Sequence, residues 1–150
     1  MEKIIERKKQ SWDGMFYSIQ RIDLLIVSFC GAGIYVCLET IKFLNEKKMP
    51  CDYLIKIAGG IFLLGIILNF LSQHFGFKSN QQDYLMCESL IDANNKNLKK
   101  CKRKLLKEEA NQYDICSEKY SKLTNILNYF SMGAMFLGLI LLLIYFSITF

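Results

Sequence analysis

The sequence predicts an all-α integral membrane protein with three transmembrane helices and a cytoplasmic helical hairpin or coiled coil between the second and third. Three uncharged runs carry that prediction. Fifteen consecutive residues between Asp23 and Glu39 bear no formal charge, 21 between Lys56 and Lys78 bear none, and neither do the last 28, Leu123 to Phe150. Runs near the ~20 residues that cross a ~30 Å hydrocarbon layer, bordered by lysines, read as membrane spans. Averages conceal this: the chain has 150 residues, is 52% hydrophobic and 22% charged, and carries a net +5, figures that a soluble domain shares.

Residues 1–21 are basic and carry Trp12, Met15, Phe16 and Ile19 at three-four spacing, with Lys8, Lys9 and Arg21 nearby. They are expected to form an interfacial amphipathic helix, with the sole Trp in the headgroup belt. The first span follows at 22–44. It is too long for the apolar region of a typical signal peptide and lacks a small-residue cleavage site, so it reads as uncleaved. A turn at 45–52, holding the only proline, Pro50, joins it to the second span at 53–75.

Residues 76–125 are polar and helical by pattern. Asn94, Asn95 and Asn97 mark the expected reversal, because asparagine is a poor helix former that tolerates turns. The arms are then 79–93 and 98–124. On the returning arm Leu98, Cys101, Leu105, Tyr113, Cys116, Tyr120, Leu123, Leu127 and Phe130 form an apolar stripe, spaced three-four-three-four-three from Tyr113 onward. Such a stripe suits a coiled-coil seam, made either with another subunit or with Tyr84, Cys87, Leu90 and Ile91 of the outgoing arm. The third span is 126–150.

Lysine and arginine set the orientation, since basic flanks stay on the cytoplasmic side. Residues 1–21 have five, 76–125 have ten, and the turn with its flanks has four: Lys42, Lys47, Lys48 and Lys56. The amino terminus and residues 76–125 are therefore expected in the cytoplasm, with the carboxyl terminus outside, in an inner (cytoplasmic) membrane.

Ionisable groups inside spans are costly and call for partners. If the first two spans form a hairpin centred near Lys48, residues whose numbers sum to about 97 lie level. Asp23 is then matched with His74, Glu39 with Lys56, and Asn69 with Ser28. The two ionisable pairs read as interface anchors, and Asn69 as an interhelical hydrogen-bonding residue. Ala134 and Gly138, four apart, join Ser28, Ala32 and several glycines as small surfaces for close helix approach. Together with Leu98, Cys101 and Leu105 they are the candidate assembly residues of a homo-oligomer.

No phosphate-binding loop, nucleophile elbow or HExxH motif occurs. The six cysteines include no C-x-x-C pair, and a single histidine does not complete a zinc site with them. The chain is expected to be non-enzymatic, with no cofactor, metal or catalytic residue. Its strongest local signal is Lys96, Lys99, Lys100, Lys102, Arg103, Lys104 and Lys107, seven positive charges in twelve residues with no acid among them. Such a cluster is either a solvated cytoplasmic face that serves only topology or a site for anions: a lipid headgroup surface or a cytoplasmic protein, with nucleic acid less favoured because no aromatic residues interleave the charges.

The basic entry Glu6-Arg7-Lys8-Lys9, the pair of spans and the segment from Phe75 to Ile91 make roughly the first 120 residues similar, in architecture, to SLATT-type small membrane effectors of bacterial anti-phage systems. A looser likeness is to small membrane accessories of RNA-targeting CRISPR loci. The third span departs from the two-span pattern. The resemblance implies a membrane-perturbing oligomer whose cytoplasmic part receives a signal. The expected function is therefore a pore-forming or membrane-perturbing effector. The alternative is a membrane tether that recruits a protein or ribonucleoprotein through the basic helix.

Overall fold

The computed structural model describes residues 2–48, 53–94 and 100–149, with the side chains of 20–48, 53–94 and 100–149. All three elements are helices: α1 (Glu2–Glu46), α2 (Tyr53–Ala93) and α3 (Lys100–Thr149). Each contains a stretch long and apolar enough to cross a membrane, in α1 within Gln20–Glu46. The boundary expected near residue 21 lies inside one continuous helix, α1; the side chains of Trp12, Met15, Phe16 and Ile19 are outside the described residues.

Helix ends follow local chemistry. α1 closes where the Lys47 and Lys48 amides donate to the Phe43 and Asn45 carbonyls, each at 3.1 Å. Lys48 there adopts a φ of 55°, the left-handed conformation common just past a helix end. α2 ends at Ala93, as the asparagine cluster predicts, with the Asn94 amide shared between the carbonyls of Leu90 and Ile91, both 3.1 Å away.

The chain divides into two compact units, Met1–Asn69 with Phe130–Phe150, and Phe70–Tyr129. In the first, the buried positions of α1 are Ile26, Cys30, Gly33, Cys37 and Leu44, those of α2 are Ile55, Ala58, Phe62, Gly65 and Asn69, and those of α3 are Ser131, Met135, Gly138 and Tyr145. Steps of three, four or seven recur on all three helices, the spacing of helices packed side by side with a left-handed twist. Phe62 lies between two glycines. A Cβ on Gly33 would fall 2.5 Å from its ring, and one on Gly138 2.7 Å from it. One aromatic ring thus fills the space that two missing side chains leave.

The interior of this unit is small or polar at many positions, while large aliphatic residues such as Leu24, Leu38, Leu63, Leu64 and Leu143 are exposed. Ile26, Leu44, Ile55, Phe62, Met135 and Tyr145 are buried beside the small and polar residues, so this unit has an apolar exterior as well as an apolar core, whereas in water the hydrophobic effect draws large apolar side chains inward.

In the second unit α2 and α3 pack antiparallel. The Ser72 hydroxyl donates to the Thr124 carbonyl at 3.0 Å and the Ser79 hydroxyl to the Ser117 carbonyl at 2.9 Å, while the Ser117 hydroxyl returns a bond to the Ser79 carbonyl at 3.1 Å. Phe75 stacks on Tyr120 with centroids 6.1 Å apart. Ser89, Ala93 and Ala110 are buried toward the end of α2 and the start of α3.

Candidate functional site

Small residues let α2 and α3 approach closely enough for a hydroxyl to reach a carbonyl on the opposite helix. In the first unit Ser131 donates to the Gly65 carbonyl at 2.7 Å. In the second, Ser72 meets Thr124 and Ser79 meets Ser117. Gly65, Ser72 and Ser79 are seven apart, as are Ser117, Thr124 and Ser131, and the two numbers of each pair sum to 196. The sequence contained this register as a heptad of small polar residues, which a search for apolar stripes passes over.

The interior polar pair differs from the expected one. Asn69, fully buried, donates from Nδ2 to Asp23 Oδ1 at 3.0 Å. The pairing expected from numbers summing to 97 matched Asp23 with His74 and Asn69 with Ser28. Actual contacts are Gly59 with Cys37, Gly65 with Cys30, Phe62 with Gly33, and Asn69 with Asp23, whose sums run from 96 down to 92. The expectation of one constant sum ignored how packing shifts the register of two helices along their length.

His74 is exposed and lies edge-on to Phe75 at 5.8 Å. Glu39 and Lys56 are both exposed, and the Lys56 ammonium sits 5.7 Å from the centre of the Tyr53 ring. Ala134 lies against Gly65, and Gly138 against Phe62 of the same chain. These two candidate assembly residues therefore serve packing within the chain. Gly31, Gly60 and Gly133 have nothing within 4 Å of an added Cβ.

Half of the described residues of the apolar stripe anticipated on the returning arm face outward. Cys101, Leu105, Cys116 and Phe130 are exposed, and so are Tyr84, Cys87, Leu90 and Ile91 of the outgoing arm. Tyr113, Tyr120, Leu123 and Leu127 are half-buried. The helices instead meet through the serine and alanine face, because small residues allow closer backbone approach than Leu or Tyr.

In the basic cluster, Lys100, Lys102, Lys104 and Lys107 are exposed and Arg103 is half-buried; Lys96, Lys99 and Leu98 lie outside the described residues. Lys104 reaches Glu108 at 4.0 Å and Lys122 reaches Glu118 at 3.6 Å, both on the surface of α3. Close by, the Tyr113 hydroxyl donates to Glu109 Oε1 at 3.2 Å. That bond, with the negative charge of Glu109, holds the Tyr113 phenol above the ordinary tyrosine range. Among the described residues no group of three or more His, Cys, Asp or Glu is placed to hold a metal ion.

Comparison with known proteins finds no matching family model, no matching curated protein and no matching solved structure.

Proposed function

We propose that the chain is a small non-enzymatic, multi-pass membrane protein that assembles from identical copies and forms or disturbs a permeability path, controlled through a cytoplasmic hairpin made by the polar ends of α2 and α3. The observation that supports membrane insertion is the apolar exterior of the first unit: Leu24, Leu38, Leu63, Leu64 and Leu143 are exposed, while Asn69, Ser131, Cys30 and Gly65 share the interior with Ile26, Ile55 and Phe62. Water would penalise such an exterior, since soluble monomers seldom expose apolar patches beyond a few hundred Å². Lipid does not penalise it, and in lipid small residues and hydrogen bonds hold helices together. The lysine bias then sets the amino terminus and the hairpin in the cytoplasm of a bacterial cell. An anti-phage effector role follows the architectural likeness to SLATT-type proteins.

Expression should depolarise cells in a concentration-dependent way and admit a membrane-impermeant dye. Absence of leak at high expression, with the protein shown to be in the membrane fraction, sinks this reading.

The exposed Lys100, Lys102, Lys104 and Lys107 favour a second reading, a tether whose basic face recruits an acidic cytoplasmic partner. Lys100→Glu with Lys104→Glu should then release the partner and leave insertion intact. These are better probes than Arg103, whose side chain is half-buried. Recovery of equal partner protein by the reversed-charge variant counts against recruitment.

A further inference from the structure

Outward from the serine seam, α2 carries a second periodic feature. Phe70, Phe77, Tyr84 and Ile91 recur every seven residues and are 62%, 67%, 68% and 71% exposed. In a membrane, lipid covers Phe70 and Phe77 inside the uncharged run, as it covers the exposed Leu63, Leu64 and Leu71 of the same helix. Beyond the run the repeat suits a partner helix, because supercoiling keeps residues seven apart on one seam. Tyr84 and Ile91 also lie beyond the uncharged run that ends before Lys78, among Asp83, Glu88 and Asp92, where hydrocarbon is not available to cover them.

We propose that a second copy of this chain covers the Tyr84 to Ile91 end of this face head to tail, α2 of one copy packing against the first turns of α3 of the next. The proposal rests on the reading that all copies are inserted in a membrane in one orientation. Equal residues then lie at equal heights in every copy. α2 and α3 are paired at numbers summing to 196 at Ser72–Thr124 and Ser79–Ser117; carried on toward the end of α2, that register brings Ile91 to within about a turn of the height of Leu105, itself 60% exposed, and Asp92 to within about a turn of Lys104. A neighbour's α3 therefore brings an apolar side chain to Ile91 and a positive charge to Asp92.

Charge selects this arrangement over a two-fold one. An α2 to α2 contact sets Asp83, Glu88 and Asp92 against their own copies, and an α3 to α3 contact sets Lys100, Lys102 and Lys104 against theirs. Like charges directly opposed are unfavourable, and complementary ones set register. An α2 to α3 contact also leaves each copy with one used and one unused face at either side, so it repeats until a ring closes.

The test uses two full-length chains with different tags, both with Cys51, Cys87, Cys101 and Cys116 replaced by Ser. One carries Ile91→Cys and the other Leu105→Cys, so that any disulfide between the two positions joins separate molecules. Co-expressed in cells and oxidised in the membrane, they should give the mixed-tag dimer as the main crosslinked product. A control pair, Ile91→Cys with Lys119→Cys, should stay uncrosslinked because the second position lies fourteen residues further along α3. Dimers of the Ile91→Cys chain with itself as the main product overturn the head-to-tail arrangement. Crosslinking no greater than in the control overturns the interface and leaves the face to lipid or another protein. Dye influx in the same cells separates the two readings: crosslinking without leak keeps this interface and sinks the permeability path, and leak without crosslinking does the reverse.

Discussion

Phe62 shows how a single residue organises a helix cluster. Its ring is fully buried and closed off on two sides by Gly33 and Gly138. In Gly33→Ala the new methyl must displace a fully buried ring whose other edge lies against Gly138, so the substitution should cost about 1–3 kcal/mol, the usual range for overpacking. Gly31→Ala, two residues away with open space around it, should be neutral or stabilise by up to about 1 kcal/mol through helix propensity. Melting of both variants in the same detergent checks the contrast; equal melting temperatures contradict the role given to Phe62. At Tyr113 the Glu109 carboxylate accepts the phenol's hydrogen bond and favours the protonated form. A folded-state pKa above the unfolded value means that the contribution to stability is present below the ordinary tyrosine range and lost as pH rises through the raised value. The Tyr113 titration, isolated by subtracting the Tyr113→Phe spectrum, should move down toward the ordinary value in Glu109→Gln. An unmoved midpoint would show that the carboxylate is not the cause.

Among the elements, the helices and their ends were the most legible from sequence, since uncharged runs, lysine borders and an asparagine cluster are local signals. The inward faces were less so. Sequence reasoning looked for apolar stripes, whereas α2 and α3 meet through Ser72, Ser79, Ser117 and Thr124, and the apolar side chains of the same segment are mostly exposed. Small size mattered more than hydrophobicity because the contact is close backbone approach with cross-helix hydrogen bonds. The candidate site was legible to the same partial degree: Asn69 was recognised as an interhelical hydrogen-bonding residue, but its bond to Asp23 was not foreseen. The end of α1 provides an element-scale test. Lys48 holds a φ of 55°, a conformation that costs a residue with a Cβ roughly 1 kcal/mol relative to glycine. Lys48→Gly should raise stability by about that amount, and chemical denaturation against the unaltered chain measures it; a destabilised variant would mean that the lysine side chain contributes more than its backbone costs.

For the whole molecule, the net charge of +5 describes topology more than solubility. Residues 1–21 carry five basic and three acidic side chains and residues 76–125 carry ten and seven, while the remainder is neutral. If basic flanks remain on the cytoplasmic side, a thiol at Lys48→Cys, in a chain whose own cysteines are replaced by serine, should react with a membrane-impermeant maleimide in intact cells. A thiol retained only at Cys116 should react only after permeabilisation. The opposite pattern would invert the topology and with it the cytoplasmic assignment of the hairpin.

By itself the sequence determined the helical class, the three apolar stretches, the end of α2 at Ala93 and the absence of familiar catalytic motifs, because each depends on composition or on contacts a few residues apart. Only the tertiary structure decided which face of each helix turns inward. It set Asn69 on Asp23, Phe62 between Gly33 and Gly138, and Ser79 on Ser117, and it left the heptad of Phe70, Phe77, Tyr84 and Ile91 outside. The physical reason is that several faces of these helices suit a partner, one through small residues and another through large ones. Choosing between them depends on how closely two distant backbones approach, a distance that no local pattern of residues encodes.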